Sequence, residues 1–152
     1  MTWSYTLAEL ANAIGAKPPR TDRRFASVST DTRTISAGDV YFALSGERFD
    51  GNRFVGEAFA KGAAAAVAAI ESADGPCLVT TDVLKALQAF AGYHRARYSP
   101  KVIAITGSCG KTTSKDLAAA VLETRFDVVK TQGNLNNEIG CPLSLLQLDE
   151  ST

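Results

Sequence analysis

The stretch Thr106-Gly107-Ser108-Cys109-Gly110-Lys111-Thr112-Thr113 constrains this chain more than any other. It follows a nearly continuous apolar run, Lys101-Val102-Ile103-Ala104-Ile105. Beyond it, Leu117, Ala118, Val121 and Leu122 recur at helical spacing and predict an inward face. The apolar run predicts a strand of a parallel sheet with both faces covered. A glycine turn between such a strand and a helix lets successive N–H groups and the helix N-terminus converge on one anion. Lys111 is then placed to reach outer phosphates, and the Thr112 hydroxyl to ligate Mg²⁺. The pattern departs from G-x-x-x-x-G-K-[ST] in having Ile105 at the first glycine position. The motif predicts a nucleoside triphosphate site built from Gly107, Ser108, Cys109, Gly110, Lys111, Thr112 and Thr113. Thr113 is equally readable as an ordinary helix residue. Cys109 lies near a helix N-terminus with no base beside it in the sequence, so it reads as a spacer and not a nucleophile.

After the helix, Asp127-Val128-Val129-Lys130 predicts a second strand. The loop Gly133-Asn134-Leu135-Asn136-Asn137-Glu138-Ile139-Gly140-Cys141-Pro142 then enters a helix carrying Leu143, Leu145, Leu146 and Leu148. Asparagines at the carboxyl edge of a parallel strand sit where α/β ligand sites form, although asparagine-glycine loops are also ordinary turns. Two strands and two helices cannot bury both faces of a sheet. Residues 99–152 are therefore expected to be the opening of a larger domain.

Residues 1–98 read as a smaller α/β unit. Thr6-Leu7-Ala8-Glu9 predicts a capping box, followed by Leu7, Leu10, Ala11 and Ile14 on one helical face and a stop at Gly15. Residues 17–24 read as a loop. Phe25-Ala26-Ser27-Val28 and Val40-Tyr41-Phe42-Ala43-Leu44 predict strands around a turn at Ala37-Gly38-Asp39. Residues 45–52 are expected to form an exposed loop. Phe54, Val55, Ala58 and Phe59 predict a helix face closed by Gly62. Two short apolar runs, Ala65-Val67-Ala69-Ile70 and Leu78-Val79-Thr80, flank a turn at Asp74-Gly75-Pro76. A helix from about residue 82 to 98 should bury Val83, Leu84, Leu87, Phe90 and Ala91 and break at Ser99-Pro100. His94, on that helix among Arg95 and Arg97, reads as solvated. The arginines of Ser29-Thr30-Asp31-Thr32-Arg33 and Ser45-Gly46-Glu47-Arg48-Phe49-Asp50-Gly51 could grip a diphosphate bidentately. On residue type alone, both are charged loops.

Composition removes other classes. Lys plus Arg and Asp plus Glu are 16 each, so the balance is zero. That argues against nucleic-acid binding by bulk electrostatics. No apolar run approaches the roughly 18 residues of a membrane span. The opening Met1-Thr2-Trp3-Ser4-Tyr5 lacks the regions of a secretory signal, and three scattered cysteines suit a reducing compartment. One histidine and no Cys-x-x-Cys leave little for a zinc site. A cytoplasmic monomer with neither nucleic-acid nor membrane partner is expected.

Taken together, the motifs resemble the Mur ligase family. The Thr-Gly-x-x-Gly-Lys-Thr-Thr loop is shared with folylpolyglutamate synthetases. Gly133 through Leu143 is similar to the branch that joins D-alanyl-D-alanine to UDP-N-acetylmuramoyl-tripeptide. Asp31-Thr32-Arg33, Gly38-Asp39 and Gly46-Glu47-Arg48-Phe49-Asp50-Gly51 resemble that branch's N-terminal domain. The resemblance implies a UDP-precursor-binding domain followed by the start of a P-loop parallel-sheet ATPase domain, with ATP and Mg²⁺ required. It implies precursor contacts at Ser29, Asp31, Arg33, Ser45, Gly46, Arg48 and Asp50. It further implies that Asn136 and Asn137 join residues 107–113 at ATP, that Lys111 and Thr112 act in catalysis, and that Thr112 holds the metal. The implied reaction activates the tripeptide carboxylate as an acyl phosphate, which the dipeptide amine attacks. Residues 1–152 alone are expected not to turn over. A noncatalytic UDP-sugar module and another ligase of the superfamily stay open as alternatives.

Overall fold

The computed structural model describes residues 3–47, 49–133 and 137–152. It divides into two compact units, Met1–Phe90 and Ala91–Thr152.

The first unit begins with β1 (Tyr5–Thr6) running into helix α1 (Leu7–Ile14). The capping box forms as the sequence predicts. Thr6 Oγ1 accepts the Glu9 N–H at 3.1 Å, and Glu9 Oε2 accepts the Thr6 N–H at 2.7 Å. These bonds satisfy donors that a helix start otherwise leaves orphaned. Gly15 ends the helix in the left-handed region at φ +68°. Strand β2 (Arg24–Phe25) pairs antiparallel with β1, so the 17–24 loop gives up its last residue to a strand.

A four-stranded parallel sheet follows: β3 (Val28–Ser29), β4 (Val40–Phe42), β7 (Ala65–Ala68) and β8 (Cys77–Val79), in that spatial order. Register places Val28 opposite Val40 and Val40 opposite Ala65. Residues of β7 are all buried, which a central strand covered on both faces requires. The apolar run stops there: Ala69 is exposed and Ile70 is 59% exposed. Between β4 and β7 lie a small hairpin, β5 (Ser45–Gly46) with β6 (Phe49–Asp50), a 3₁₀ turn (Gly51–Phe54) and helix α2 (Val55–Ala60). The expected exposed loop is thus a hairpin.

Helix α3 (Val83–Tyr98) starts where Asp82 Oδ1 accepts the Lys85 N–H at 2.9 Å. It stops at Ser99, whose φ is +48°. Val83, Leu87, Phe90 and Ala91 are buried as expected, and Leu84 is half-buried. Phe90 centres an aromatic cluster with Trp3, Tyr5, Phe25 and Phe42, at centroid separations of 5.4–6.5 Å. A second cluster packs Tyr41, Val55, Ala58 and Ala66 under Phe54 and Phe59.

The second unit corrects several expectations. Neither 101–106 nor 127–130 is a strand. A strand exists only through pairing, and these runs find no ladder partner among the described residues. Val102 and Ile103 are 58% and 66% exposed. Helix α4 (Lys111–Leu122) forms, but Leu117 and Val121 are exposed and Ala119 is its buried residue, because no sheet covers the predicted face among the described residues. Helix α5 (Gly140–Leu145) ends sooner than its leucines suggest, and Leu146 and Leu148 are buried beyond it.

His94 is the clearest reversal. Its side chain is fully buried, and its Nε2–H donates to the Leu148 carbonyl at 2.9 Å. Its ring also lies against Tyr98. A carbonyl only accepts, so Nε2 carries the proton. Burial, with the charge of Arg97, pushes the His94 pKa below its usual value.

Candidate functional site

Two loop systems carry the residues singled out by the sequence. In the second unit, residues 107–110 turn from the apolar run into α4. Gly110 is the N-cap at φ +77°, a left-handed conformation that glycine adopts without penalty. No side chain caps this helix, and no acceptor among the described residues takes the backbone N–H of any residue from 107 to 113. Seven consecutive donors and a helix N-terminus therefore open at one place, the arrangement that attracts phosphate. Lys111 folds back so that Nζ donates to the Gly107 carbonyl, keeping its charge at the mouth of the loop. Thr112, Thr113, Ser108 and Cys109 are exposed.

Lys115 behaves differently. Its Nζ donates to the Thr131 carbonyl and lies 3.3 Å from Asp116 Oδ1, so it ties α4 to the segment after 127–130. Asn137 caps α5: its Oδ1 accepts the N–H groups of Ile139 at 3.2 Å and Gly140 at 2.7 Å. That structural use of Asn137 was not evident from sequence. Asn136 lies outside the described residues, as do Asn134, Leu135 and Arg48.

In the first unit, the predicted precursor residues that are described, all but Arg48, lie at or beyond the carboxyl ends of neighbouring parallel strands, where α/β proteins hold ligands. Ser29 ends β3. Its Oγ donates to the Asp31 carbonyl at 2.9 Å and accepts the Asp31 N–H at 3.2 Å. Asp31 then grips Arg33 in a two-pronged pair, with Nη2 to Oδ2 at 2.6 Å and Nε to Oδ1 at 3.0 Å. These hydrogen bonds hold the Asp31 carboxyl down at about 2 and push the Arg33 pKa up. Lys61 braces the same loop: its Nζ donates to the Thr32 carbonyl and to Glu57 Oε1, both at 2.8 Å.

Ser45 and Asp50 follow β4. Ser45 Oγ donates to Asp50 Oδ1 at 2.9 Å, and the Asn52 backbone N–H donates there at 3.0 Å. Hydrogen bonds from Asn52 and Ser45 keep the Asp50 carboxyl below its usual range. Tyr41, buried beneath, donates to the Gly51 carbonyl at 3.2 Å. Burial and the negative charges of Asp31, Glu57 and Asp50 push its hydroxyl up to about 12, so it stays a neutral donor. That shared influence joins the two loops electrostatically. Gly38 and Asp39 lie at the other end of β4. Asp39 accepts Ser27 Oγ–H, and the Ser36 N–H at 2.8 Å, which makes it a turn-forming residue. Asn52, which no sequence pattern marked, proves central to the β4 loop.

Comparison with known proteins now decides the family. Residues 24–95 match the family described as "Mur ligase family, catalytic domain", and residues 105–152 match "Mur ligase middle domain". The chain belongs to the Mur ligase family. This Mur ligase chain is 39% identical over 150 residues to the UDP-N-acetylmuramoyl-tripeptide--D-alanyl-D-alanine ligase of Bacillus subtilis, covering 96% of the chain and 33% of that protein. It is 38% identical to the Escherichia coli ligase of the same name, covering 95% and 32%. A crystal structure of MurF from Acinetobacter baumannii superposes with a TM-score of 0.90 at 35% identity, covering 98% of this chain and 34% of that one. The MurF ligase from Thermotoga maritima, solved with ADP, gives 0.72 at 34% identity, covering 79% and 28%. The Mur ligase chain thus spans about a third of the length of the curated relatives it matches. The middle-domain match also identifies residues 105–152 as the start of the central domain, although its described residues form no strand.

Proposed function

We propose that this chain is the N-terminal part of an ATP-dependent ligase that adds D-alanyl-D-alanine to UDP-N-acetylmuramoyl-tripeptide in the cytoplasm, for peptidoglycan precursor synthesis. Residues 1–98 form the UDP-precursor domain and residues 99–152 open the ATPase domain. The observation that carries this reading is the run of backbone donors at 107–113 behind a left-handed Gly110, with Lys111 beside it.

A carboxylate is a poor acyl donor, since oxide would have to leave. ATP supplies the phosphoryl group that makes the tripeptide carboxylate an acyl phosphate, open to attack by the dipeptide amine. Phosphoryl transfer of this kind needs mainly positioning and charge neutralisation. Here the amides of Gly107, Ser108, Cys109, Gly110, Lys111, Thr112 and Thr113 cradle the phosphates, and Lys111 offsets developing charge. The exposed Thr112 hydroxyl, in the first helical turn, is the group that would hold Mg²⁺. Asn136 and Asn137 complete the nucleotide side. Ser29, Asp31, Arg33, Ser45, Gly46, Arg48 and Asp50 hold the UDP portion. Fluorescence titration of the chain with Mg²⁺ and ATP tests the reading: Lys111→Ala should weaken ATP about tenfold or more, the loss of a charged hydrogen bond. Unchanged ATP affinity in that variant would sink it.

A further inference from the structure

One carboxamide ties the β4 loop to the neighbouring strand. Asn52 Oδ1 accepts the backbone N–H of Ala69, just past the end of β7, at 2.8 Å. Asn52 Nδ2 donates to Asp50 Oδ1 at 2.8 Å and to Ser45 Oγ at 3.3 Å. The residue therefore spans β5, β6 and the exit of the neighbouring parallel strand. Among neutral side chains of this size, only a carboxamide offers an acceptor and two donors at once.

The bonds at Asp50 are one-sided. Its Oδ1 accepts three hydrogen bonds, from Ser45 Oγ, Asn52 N and Asn52 Nδ2. Its Oδ2 accepts none among the described residues. An ionised carboxylate pinned by one oxygen presents the other as a fixed acceptor. Such an oxygen repels a diphosphate and attracts an O–H or N–H donor.

We infer that Asn52 is the positioning residue of the precursor site, clamping Asp50 through Oδ1 so that Oδ2 takes a hydrogen bond from the uridine moiety. The inference rests on the reading of this loop as the UDP site. The donor chemistry is an N–H or O–H group, supplied by the uracil imide or by the ribose hydroxyls.

Calorimetric titration with UDP-N-acetylglucosamine, whose diphosphate diester has no group titrating near neutral pH, tests the inference on this chain. Asn52→Ala should weaken binding about tenfold. Asn52→Asp keeps the acceptor for Ala69 but sets a second carboxylate against Asp50, so binding should be weak at neutral pH. It should recover as the pH falls, because two close carboxylates share a proton and the protonated one donates. Acid rescue of affinity in a variant whose unfolding midpoint, read by Trp3 fluorescence, matches the unaltered chain at each pH separates positioning from a purely structural role. Uridine analogues locate the donor: loss with 3-methyluridine diphosphate points to the imide, and loss with the 2′-deoxy analogue to the ribose. Undiminished binding of the 3-methyl, 2′-deoxy and 3′-deoxy analogues alike overturns the Asp50 contact. Wild-type affinity in both Asn52 variants overturns the inference while leaving the precursor site standing. No binding by the unaltered chain overturns the precursor reading itself.

Discussion

Gly51→Ala is the sharpest test of the architecture beneath the β4 loop. A Cβ at residue 51 would lie 2.3 Å from the Leu44 carbonyl oxygen, 2.6 Å from the Ala43 carbonyl carbon and 2.8 Å from the Leu44 nitrogen. All three are backbone atoms at the exit of β4, so no flexible side chain can swing away. Relief requires the 3₁₀ turn to move off the strand. Overpacking of this kind costs about 1–3 kcal/mol. The movement also weakens the Gly51 N–H to Leu44 carbonyl bond at 2.9 Å and the buried Tyr41 hydroxyl bond to Gly51 at 3.2 Å. Each contributes about 0.5–1.5 kcal/mol. A destabilisation of about 3 kcal/mol follows. Trp3 is the single tryptophan and is buried among Tyr5, Phe25 and Phe90, so its fluorescence reports unfolding of the first unit. In urea the midpoint should fall by roughly 1.5 M, taking a slope of about 2 kcal/mol per molar. Gly46→Ala is the control, since a Cβ there meets nothing within 4 Å. Its stability should change by less than about 0.5 kcal/mol. Coincident midpoints for Gly51→Ala and the unaltered chain would refute the close-approach argument.

Two further predictions concern titration. Asp31 should titrate at about 2 by carbon-detected NMR, and Arg33→Ala should return it toward 3.8. Because its folded value lies below the ordinary one, its contribution to stability is present above pH 3.8 and is lost as pH falls toward 2. His94, the one histidine, should titrate below 6.5 in the folded chain. The unfolded chain then takes up its proton first as the pH drops through 6.5, so stability declines from that point until the folded-state value is reached. A His94 resonance titrating at or above 6.5, or the same pH slope in His94→Gln, would contradict the buried neutral ring.

The glycine turn before α4 was legible because its geometry is local. It depends on Gly107, Gly110 and the helix start within a few residues. The bonds of Asp31 to Arg33, two residues apart, and of Ser45 to Asp50, five apart, were not read from the sequence, which offered those side chains to a ligand. Asn52 escaped notice because its informative partner, Ala69, is 17 residues away and contributes only a backbone N–H. A main-chain donor leaves no trace in residue type.

The same division runs through the whole molecule. The capping box at Thr6 and Glu9, the left-handed stop at Gly15, the span of α3 and the glycine turn before α4 follow from the chain's own letters, since helices and tight turns are set by residues within about four positions. The parallel order β3-β4-β7-β8 required the folded molecule, because strand partners are chosen at long range. So did the unpaired state of 101–106 and 127–130, whose apolar patterns permit strands but cannot supply neighbours. His94 shows the difference in one residue: neighbouring arginines suggest water, but a carbonyl 54 positions along, at Leu148, accepts the imidazole hydrogen bond, and the ring is fully buried.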